Sequence, residues 1–208
     1  MNLQTQRLSL AGPAGPIEAL RDDPGAGRPV RGTAVIAHPH PLHGGTMNNK
    51  VVQTLARAFV QAGWSAVRFN FRGVGASGGI YDEGRGERED MHEVIRSLAP
   101  EGPLALGGFS FGSFVASHVL ADLWERRPAE AVVLVGTAAS RFTVAPVPHD
   151  AHERTLVIHG EQDDTVPLAD VMDWARPQSL PVTVIPGVEH FFHGQLPLLK
   201  SLVVRHLR

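Results

Sequence analysis

The pentapeptide Gly-Phe-Ser-Phe-Gly at 108–112 directly follows an apolar run at 104–107. A serine with glycine at both second neighbours, placed after a buried strand, is the sequence form of a nucleophile elbow, a tight strand-to-helix turn that exposes the hydroxyl. Glycine lacks the Cβ that would clash in so cramped a turn. The N-terminus of the following helix would direct free N–H groups at an oxyanion formed beside the serine. The pattern predicts Ser110 as a nucleophile for acyl transfer, and the alternative is an ordinary turn of small residues.

An acid and a base that could complete a catalytic triad follow Ser110 in the chain. Asp163 comes after the apolar segment 155–160, and His190 comes after the apolar segment 181–185. Both segments predict strands, and in a parallel sheet the loops after such strands lie at the edge that carries the elbow. In a triad, His190 would take the proton of Ser110, and Asp163 would orient the imidazole and stabilise its positive form. The order Ser, Asp, His is that of α/β-hydrolases.

Four sequence blocks make a resemblance specific. They read His-Pro-His-Pro-Leu-His-Gly-Gly at 38–45, Thr-Met-Asn-Asn-Lys at 46–50, Asn-Phe-Arg-Gly-Val-Gly at 70–75, and the elbow at 108–112. In this order, over nearly the whole chain, they resemble the small lidless bacterial serine hydrolases of the α/β-hydrolase superfamily. The resemblance implies the fold and the triad machinery and little about the substrate. The spacing Gly160-x-x-Asp163-x-x-Val166-Pro167 matches the acid loop of that family.

Neighbouring residues offer alternatives for the acid and the base. The acid-loop spacing favours Asp163 over Asp164, which is expected to be a solvated turn residue. His193 lies three residues beyond His190 and is the alternative base; otherwise it is expected to open the last helix or to hydrogen-bond locally.

Two further ionisable residues near the triad receive structural interpretations. Glu189 precedes His190 and is expected to face solvent rather than to serve as a second acid. His159, at the end of the segment 155–160, is expected to be buried beside the acid loop as a hydrogen-bonding residue.

The oxyanion hole is expected to use the backbone N–H of Phe111 and a second N–H from the loop after the apolar segment 33–37. Pro39 and Pro41 have no N–H to donate. His40 and Leu42 are therefore the candidates, and the position of His40 in the loop favours it. Five phenylalanines could line an apolar acyl pocket or belong to the core: Phe109, Phe111, Phe114, Phe191 and Phe192.

The histidines of His38-x-His40-x-x-His43 resemble a zinc motif of metallo-β-lactamase-type hydrolases. Three histidines so spaced could bind one zinc ion. However, the aspartate of that motif is replaced by Leu42, two prolines intervene, and a triad is present elsewhere. These residues are therefore expected to shape the oxyanion loop, with no metal and no cofactor.

The spacing Gly73-x-Gly75-x-x-Gly78 is formally a dinucleotide-binding fingerprint. That motif needs a helix to begin at once, so that its N-terminus meets the pyrophosphate. Here the segment 78–84 continues as a loop, so the glycines are expected to let Arg72 and the backbone pack near the active-site edge.

Alternating patterns predict an α/β-hydrolase fold with a mostly parallel twisted sheet, helices on both faces and no lid, in one domain spanning residues 1–208. The segment 136–154, where many relatives insert a lid, holds little more than a turn and a loop, which predicts an open site. Strands are predicted at 7–10, 17–21, 33–37, 65–71, 104–107, 131–135, 155–160 and 181–185, and helices at 47–62, 86–98, 111–124, 168–174 and from 196.

Composition narrows the class of protein. The 208 residues are 43% hydrophobic and 19% charged, as in ordinary globular proteins. A net charge of −2 gives no reason to expect nucleic acid or an anionic membrane as a partner. The chain has no cysteine, so disulfides and thiolate chemistry are excluded. Without a signal-peptide pattern or a long apolar run, the expected location is the cytoplasm; the sequence does not indicate the oligomeric state.

The function predicted from these residues is that of a serine hydrolase, of carboxylesterase or thioesterase type, acting on a small soluble ester or thioester. The alternative is a non-catalytic binding or scaffold protein built on the same fold. Such proteins usually lose the nucleophile or the base, whereas this chain keeps Ser110, Asp163 and His190.

Overall fold

The computed structural model describes residues 5–208 as eight strands and five α-helices in alternation. The strands are β1 (Gln6–Gly12), β2 (Gly15–Asp22), β3 (Thr33–Ala37), β4 (Ser65–Phe69), β5 (Leu104–Phe109), β6 (Ala131–Val135), β7 (Thr155–Gly160) and β8 (Val182–Ile185). The helices are α1 (Lys50–Gln61), α2 (Arg85–Leu98), α3 (Phe111–Leu123), α4 (Leu168–Ala175) and α5 (Leu196–His206). Short 3-10 helices lie at Pro41–His43, His149–Arg154 and Arg176–Gln178.

All eight strands form one sheet in the order β1-β2-β4-β3-β5-β6-β7-β8. Strands β3 to β8 pair in parallel, while the hairpin of β1 and β2 joins the sheet antiparallel to β4. The predicted mostly parallel sheet is confirmed. Because the loops after β3, β5, β6, β7 and β8 leave from the same edge, this edge gathers the residues that the sequence singled out.

Helices cover both faces of the sheet. Alternate residues of a strand point to opposite faces, and in β3 the side chains of Val35 and Ala37 join the hydrophobic cluster of α2, α3 and α4. Ala34 and Ile36 join the cluster of α1 and α5 instead. Burial on both sides explains why the central strands are continuously apolar rather than alternating.

Several element boundaries differ from the sequence prediction, and at two of them a hydrogen bond shows why. Helix α1 begins at Lys50 rather than at 47 because the side chain of Asn49 caps it, accepting hydrogen bonds from the N–H groups of Val51 at 2.8 Å and Val52 at 3.4 Å. Strand β4 ends at Phe69 rather than at 71. Beyond it, the N–H of Phe71 donates to the imidazole of His38 at 3.0 Å instead of continuing a strand ladder.

Between β6 and β7 the chain forms turns and the 3-10 helix His149–Arg154, with no inserted helical domain. The predicted absence of a lid is therefore confirmed. Within residues 5–208, none of the helices combines the length and apolar character required to cross a bilayer.

Candidate active site

Ser110 occupies a strained turn between β5 and α3. Its backbone has φ 56° and ψ −117°, a region that residues other than glycine rarely adopt. The turn is held by two hydrogen bonds: the N–H of Ser110 donates to the carbonyl of Val135 at 2.8 Å, and its own carbonyl accepts from the N–H of Ser113 at 2.9 Å. Backbone strain of this kind persists only where the surroundings enforce it, and it concentrates at functional sites.

The two glycines of the pentapeptide are required by close backbone contacts. A Cβ on Gly108 would lie 2.4 Å from the carbonyl oxygen of Gly112, and a Cβ on Gly112 would lie 2.3 Å from the carbonyl oxygen of Ala37. Both separations are far below van der Waals contact. The elbow geometry predicted from the spacing is thus present, and it presses the start of α3 against the end of β3.

Asp163 and His190 are hydrogen-bonded to each other at the same edge of the sheet. Nδ1 of His190 lies 2.6 Å from Oδ2 of Asp163, and both side chains are almost fully buried. Oδ1 of Asp163 accepts hydrogen bonds from the N–H groups of Thr165 at 3.0 Å and Val166 at 2.7 Å. A carboxylate accepts, so Nδ1 of His190 carries the proton, which leaves Nε2 able to take one.

Two residues that the sequence analysis did not single out for this role position the imidazole of His190. The ring of Phe109 packs against it, with centroids 4.9 Å apart. Gly136 follows β6 with φ 55°, and a Cβ there would lie 3.2 Å from Cε1 of His190. The available signal was a glycine directly after a strand that ends at the same edge as the elbow.

The alternative acid and base lie outside this arrangement. Asp164 is exposed. The side chain of His193 is also exposed, and its Nδ1 lies 3.0 Å from Oε1 of Glu189. The predicted local hydrogen bonding of His193 is confirmed, whereas α5 begins later, at Leu196.

Glu189 is not a second acid, as predicted, and its side chain is 38% exposed. Its carboxylate accepts from the N–H of Phe191 at 2.8 Å and the N–H of His193 at 2.6 Å. Burial alone would raise the pKa of Glu189, but these hydrogen bonds favour the ionised form and hold the pKa below its usual value. The residue therefore fixes the turn that carries His190.

His159 is buried beside the acid loop, as predicted. Its Nε2 lies 2.9 Å from the carbonyl oxygen of Val166 and 3.4 Å from Oδ2 of Asp163, whereas its Nδ1 has no partner among the described residues. A carbonyl only accepts, so Nε2 carries the proton. Burial lowers the pKa of His159, which keeps the imidazole neutral.

Hydrogen bonding in the loop after β3 distinguishes the two candidates for the second oxyanion donor. The N–H of Leu42 donates to Nδ1 of His40 at 3.2 Å, and the Leu42 side chain is 67% exposed. The N–H of His40 donates no hydrogen bond within residues 5–208. Phe111 is the first residue of α3, where the N–H has no intrahelical partner. The geometry therefore favours His40 over Leu42 as the partner of Phe111.

A cleft of about 250 Å³ contains both Ser110 and His190. Aromatic rings contribute much of its apolar wall, but the set differs from the five phenylalanines considered above. Phe111 and Phe191 line the cleft together with Phe142, which the sequence analysis missed. Phe109 and Phe192 are fully buried in the core, and Phe114 lines an adjoining cleft. Phe142 carries no local signal, since it lies in an irregular loop.

Comparison with known proteins decides the family. Residues 37–153, more than half of the chain, match the family described as serine aminopeptidase, S33. The chain belongs to this family. The structure is similar to that of an α/β serine hydrolase without a lid from Xanthomonas campestris, which is 34% identical, with coverage of 100% of this chain and 95% of that chain and a TM-score of 0.88. This protein therefore has the α/β serine hydrolase fold without a lid.

Two further relatives of this serine hydrolase extend over most of its length. An α/β serine hydrolase homologue from Coxiella burnetii is 38% identical, covering 98% of this chain and 97% of that chain with a TM-score of 0.82. An uncharacterised protein of Rickettsia prowazekii is 32% identical over 195 aligned residues, and the match covers 87% of this chain and 79% of the relative.

In this hydrolase His38, the first histidine of the loop after β3, has a structural role. Nε2 of His38 accepts the N–H of Phe71 at 3.0 Å, so the proton is on Nδ1, which donates to the carbonyl of Pro39 at 2.6 Å. Burial lowers the pKa of His38 to about 4. Because both ring nitrogens are used, His38 has no free nitrogen for a metal ion, and it instead joins the oxyanion loop to the end of β4.

The glycine-rich segment after β4 is a loop in this serine hydrolase, as predicted, since the next helix starts only at Arg85. Arg72 anchors the loop on α2. Its backbone N–H donates to Oδ2 of Asp90 at 2.9 Å, and its guanidinium contacts both carboxylate oxygens of Asp90, with Nη2 to Oδ1 at 2.9 Å and Nε to Oδ2 at 3.1 Å. Such a buried bidentate pair fixes the loop geometrically.

Proposed function

We propose that this protein is a carboxylesterase or thioesterase that acts on a small ester or thioester through Ser110, His190 and Asp163. The observation that carries the proposal is the 2.6 Å hydrogen bond between His190 and Asp163, made at the wall of the cleft that also holds the strained Ser110. A nucleophile, a base and a group that orients the base are the minimum set for this chemistry.

In the acylation step, Oγ of Ser110 attacks the carbonyl carbon while Nε2 of His190 takes the hydroxyl proton. The N–H groups of Phe111 and His40 stabilise the negative oxygen of the tetrahedral intermediate. The bond to the leaving alcohol or thiol then breaks, and His190 gives it the proton. Water repeats the sequence on the acyl group and regenerates Ser110. The mechanism needs no cofactor.

Fluorophosphonate labelling of the full-length protein, read by intact mass, tests the proposed nucleophile. We expect one adduct on the wild type and none on the Ser110→Ala variant. The Ser140→Ala variant, which changes an exposed serine outside the cleft lining, is the matched control and should keep the adduct. Absence of an adduct on folded wild type would contradict the proposal and favour the binding or scaffold alternative.

A panel of acyl esters and acyl thioesters with matched chains then separates the two substrate classes. We expect measurable turnover by the wild type and only background turnover by Ser110→Ala on at least one class. Turnover that persists in Ser110→Ala would contradict the role of this serine.

A further inference from the structure

The wall of the catalytic cleft carries positive and neutral groups only. Of the residues in 5–208 that line it, none is an aspartate or a glutamate, whereas Arg141 carries a positive charge. The carboxylate nearest to the chemistry is that of Asp163, and it is buried and hydrogen-bonded to His190. An anion entering the cleft would therefore meet no opposing carboxylate on its walls.

Arg141 is a cation without a protein partner in the described chain. Its guanidinium makes no hydrogen bond and no ion pair with any residue in 5–208. Two other arginines near this edge already have carboxylate partners. The guanidinium of Arg72 binds Asp90, and the guanidinium of Arg68 lies 2.9 Å from the carboxylate of Asp22. An arginine fork that lines a cleft and has no internal carboxylate is free to bind one from a ligand.

The backbone at Arg141 is held at the cleft by its neighbour. The ring of Phe142 stacks on Phe114 with centroids 4.7 Å apart and packs edge-on against Phe111 at 5.2 Å. The N–H of Phe142 also donates to the carbonyl of Ala138 at 3.2 Å. The backbone of Arg141 is thereby held next to a ring that contacts Phe111, the residue proposed to donate to the oxyanion, while Arg141 itself is exposed.

The positive charge of Arg141 acts on a group inside the cleft, the imidazole of His40. Burial is the main cause of the lowered pKa of His40, and the charges of His43 and Arg141 lower it further. The adjoining cleft, which Arg141 also lines, holds one carboxylate, that of Glu83. Within residues 5–208 Glu83 makes no ion pair with Arg141, and its carboxylate lies 3.3 Å from the guanidinium of Arg85.

We infer that the substrate of this hydrolase carries a carboxylate in addition to the scissile bond, and that Arg141 binds this carboxylate. The inference rests on the proposed esterase function. It also argues against an aminopeptidase substrate, because a free α-ammonium would meet Arg141 and find no carboxylate on the cleft wall to bind it. This carboxylate belongs either to the acyl part or to the leaving alcohol, and the test distinguishes the two.

Two matched pairs of esters test the inference and separate these sources. On the acyl side, the mono-p-nitrophenyl ester of adipic acid is compared with the same ester whose free carboxylate is capped as an amide. On the alcohol side, p-acetoxyphenylacetate is compared with its amide, in which a methylene insulates the leaving phenol. Each rate is corrected with the Ser110→Ala variant for hydrolysis that the enzyme does not catalyse.

In at least one pair we expect kcat/KM of the wild type to be about fivefold higher for the carboxylate than for the amide, the size of a partly exposed ion pair. The preference should shrink in about 1 M NaCl, where the Debye length is about 3 Å. It should fall to near one in Arg141→Gln. The preference for the carboxylate should persist in Arg126→Gln. Arg126 is exposed just beyond the C-terminal end of α3, whereas the cleft lies at the N-terminal end of that helix.

Equal rates for carboxylate and amide in both pairs, or a preference that survives Arg141→Gln, would overturn the inference while leaving the esterase function in place. Failure of the wild type to hydrolyse either member of either pair above Ser110→Ala, with no fluorophosphonate adduct, would instead overturn the proposed function and this inference with it.

Discussion

Nε2 of His159 lies 3.4 Å from Oδ2 of Asp163. The same oxygen accepts the hydrogen bond from Nδ1 of His190, at 2.6 Å. The stronger contact of His159 is with the carbonyl of Val166, at 2.9 Å. His159 thus ties the acid loop to the end of β7 and supports the carboxylate without facing the cleft. It is a positioning residue for Asp163.

Replacing His159 by Leu is expected to lower kcat about tenfold with little change in KM, because the acid loop loosens while the substrate contacts remain. The buried carbonyl of Val166 would also lose its donor, at about 1–3 kcal/mol of unfolding free energy. Kinetics and urea unfolding measure both effects. The His159→Gln variant keeps a donor and should restore part of kcat. A Leu variant with wild-type kcat and stability would show that His159 has no positioning role.

The adjacent carboxylates of the acid loop should respond very differently to the same change. Asp163→Asn keeps the shape of the side chain but favours the wrong tautomer of His190, so kcat should fall by about three to four orders of magnitude. Asp164 is exposed, and Asp164→Asn should change kcat by less than about twofold. Initial rates on one ester suffice. Equal losses in the two variants would show that the acid is assigned to the wrong residue.

Gly136→Ala is expected to displace the imidazole of His190. The added Cβ would lie 3.2 Å from both Cε1 of His190 and Cε2 of Phe109, and φ 55° strains the backbone further. We expect kcat to fall by about ten- to a hundredfold and the unfolding free energy by about 1–3 kcal/mol.

The matched control for this glycine is Gly102→Ala. Gly102 has φ 75°, but a Cβ there would meet no atom within 4 Å, so the variant isolates backbone strain from crowding of the imidazole. It should lose stability and keep kcat. If both variants lost kcat equally, contact between position 136 and His190 would not be the cause.

His38 should make the protein less stable as the pH falls. Burial lowers the pKa of His38 from 6.5 to about 4. Between these two pH values the imidazole binds a proton in the unfolded chain but not in the folded chain. Stability from the neutral imidazole is therefore complete above about pH 6.5 and is lost as the pH falls, by about 3 kcal/mol near pH 4. Urea unfolding between about pH 7 and 4.5 measures this dependence.

The variant His38→Gln removes the titrating group, so its unfolding free energy should fall less steeply with decreasing pH than that of the wild type. His149→Gln, which removes an exposed imidazole, is the matched control. Parallel pH profiles for the wild type and His38→Gln would show that His38 titrates alike in the folded and unfolded chains.

Local sequence pattern was sufficient for most elements of this fold. The bounds of β3 and β6 agree with the apolar runs at 33–37 and 131–135, and the elbow turn follows from the spacing of its two glycines. These features depend on neighbours within a few residues, where alternation, helical periodicity and the steric demands of glycine act directly. The end of β4 differed because it was set by a partner distant in sequence, His38.

The order of Ser110, Asp163 and His190 and the type of each residue were likewise readable, because every one of them follows an apolar strand of a parallel sheet. The sequence was less informative where two neighbouring N–H groups could serve as the second oxyanion donor. The choice between His40 and Leu42 depends on a hydrogen bond within the loop, 3.2 Å long, that no spacing rule specifies. The hydrogen bonds of Glu189 were not predictable for the same reason, since its backbone partners are brought to it only in the folded turn.

The sequence by itself thus determined the fold class, the elbow and the identity of the nucleophile, acid and base candidates, because short-range patterns encode them. Only the tertiary structure brought Gly136 against His190, buried Phe109 and Phe192 in the core, and put Phe142 and Arg141 on the cleft wall. Those residues come from loops that follow different strands, and their proximity depends on how the sheet orders its strands and how side chains pack across its edge. We propose that this wall selects the substrate. The residue types needed for the proposed chemistry can therefore be predicted from the sequence, whereas the proposed specificity depends on the assembled structure.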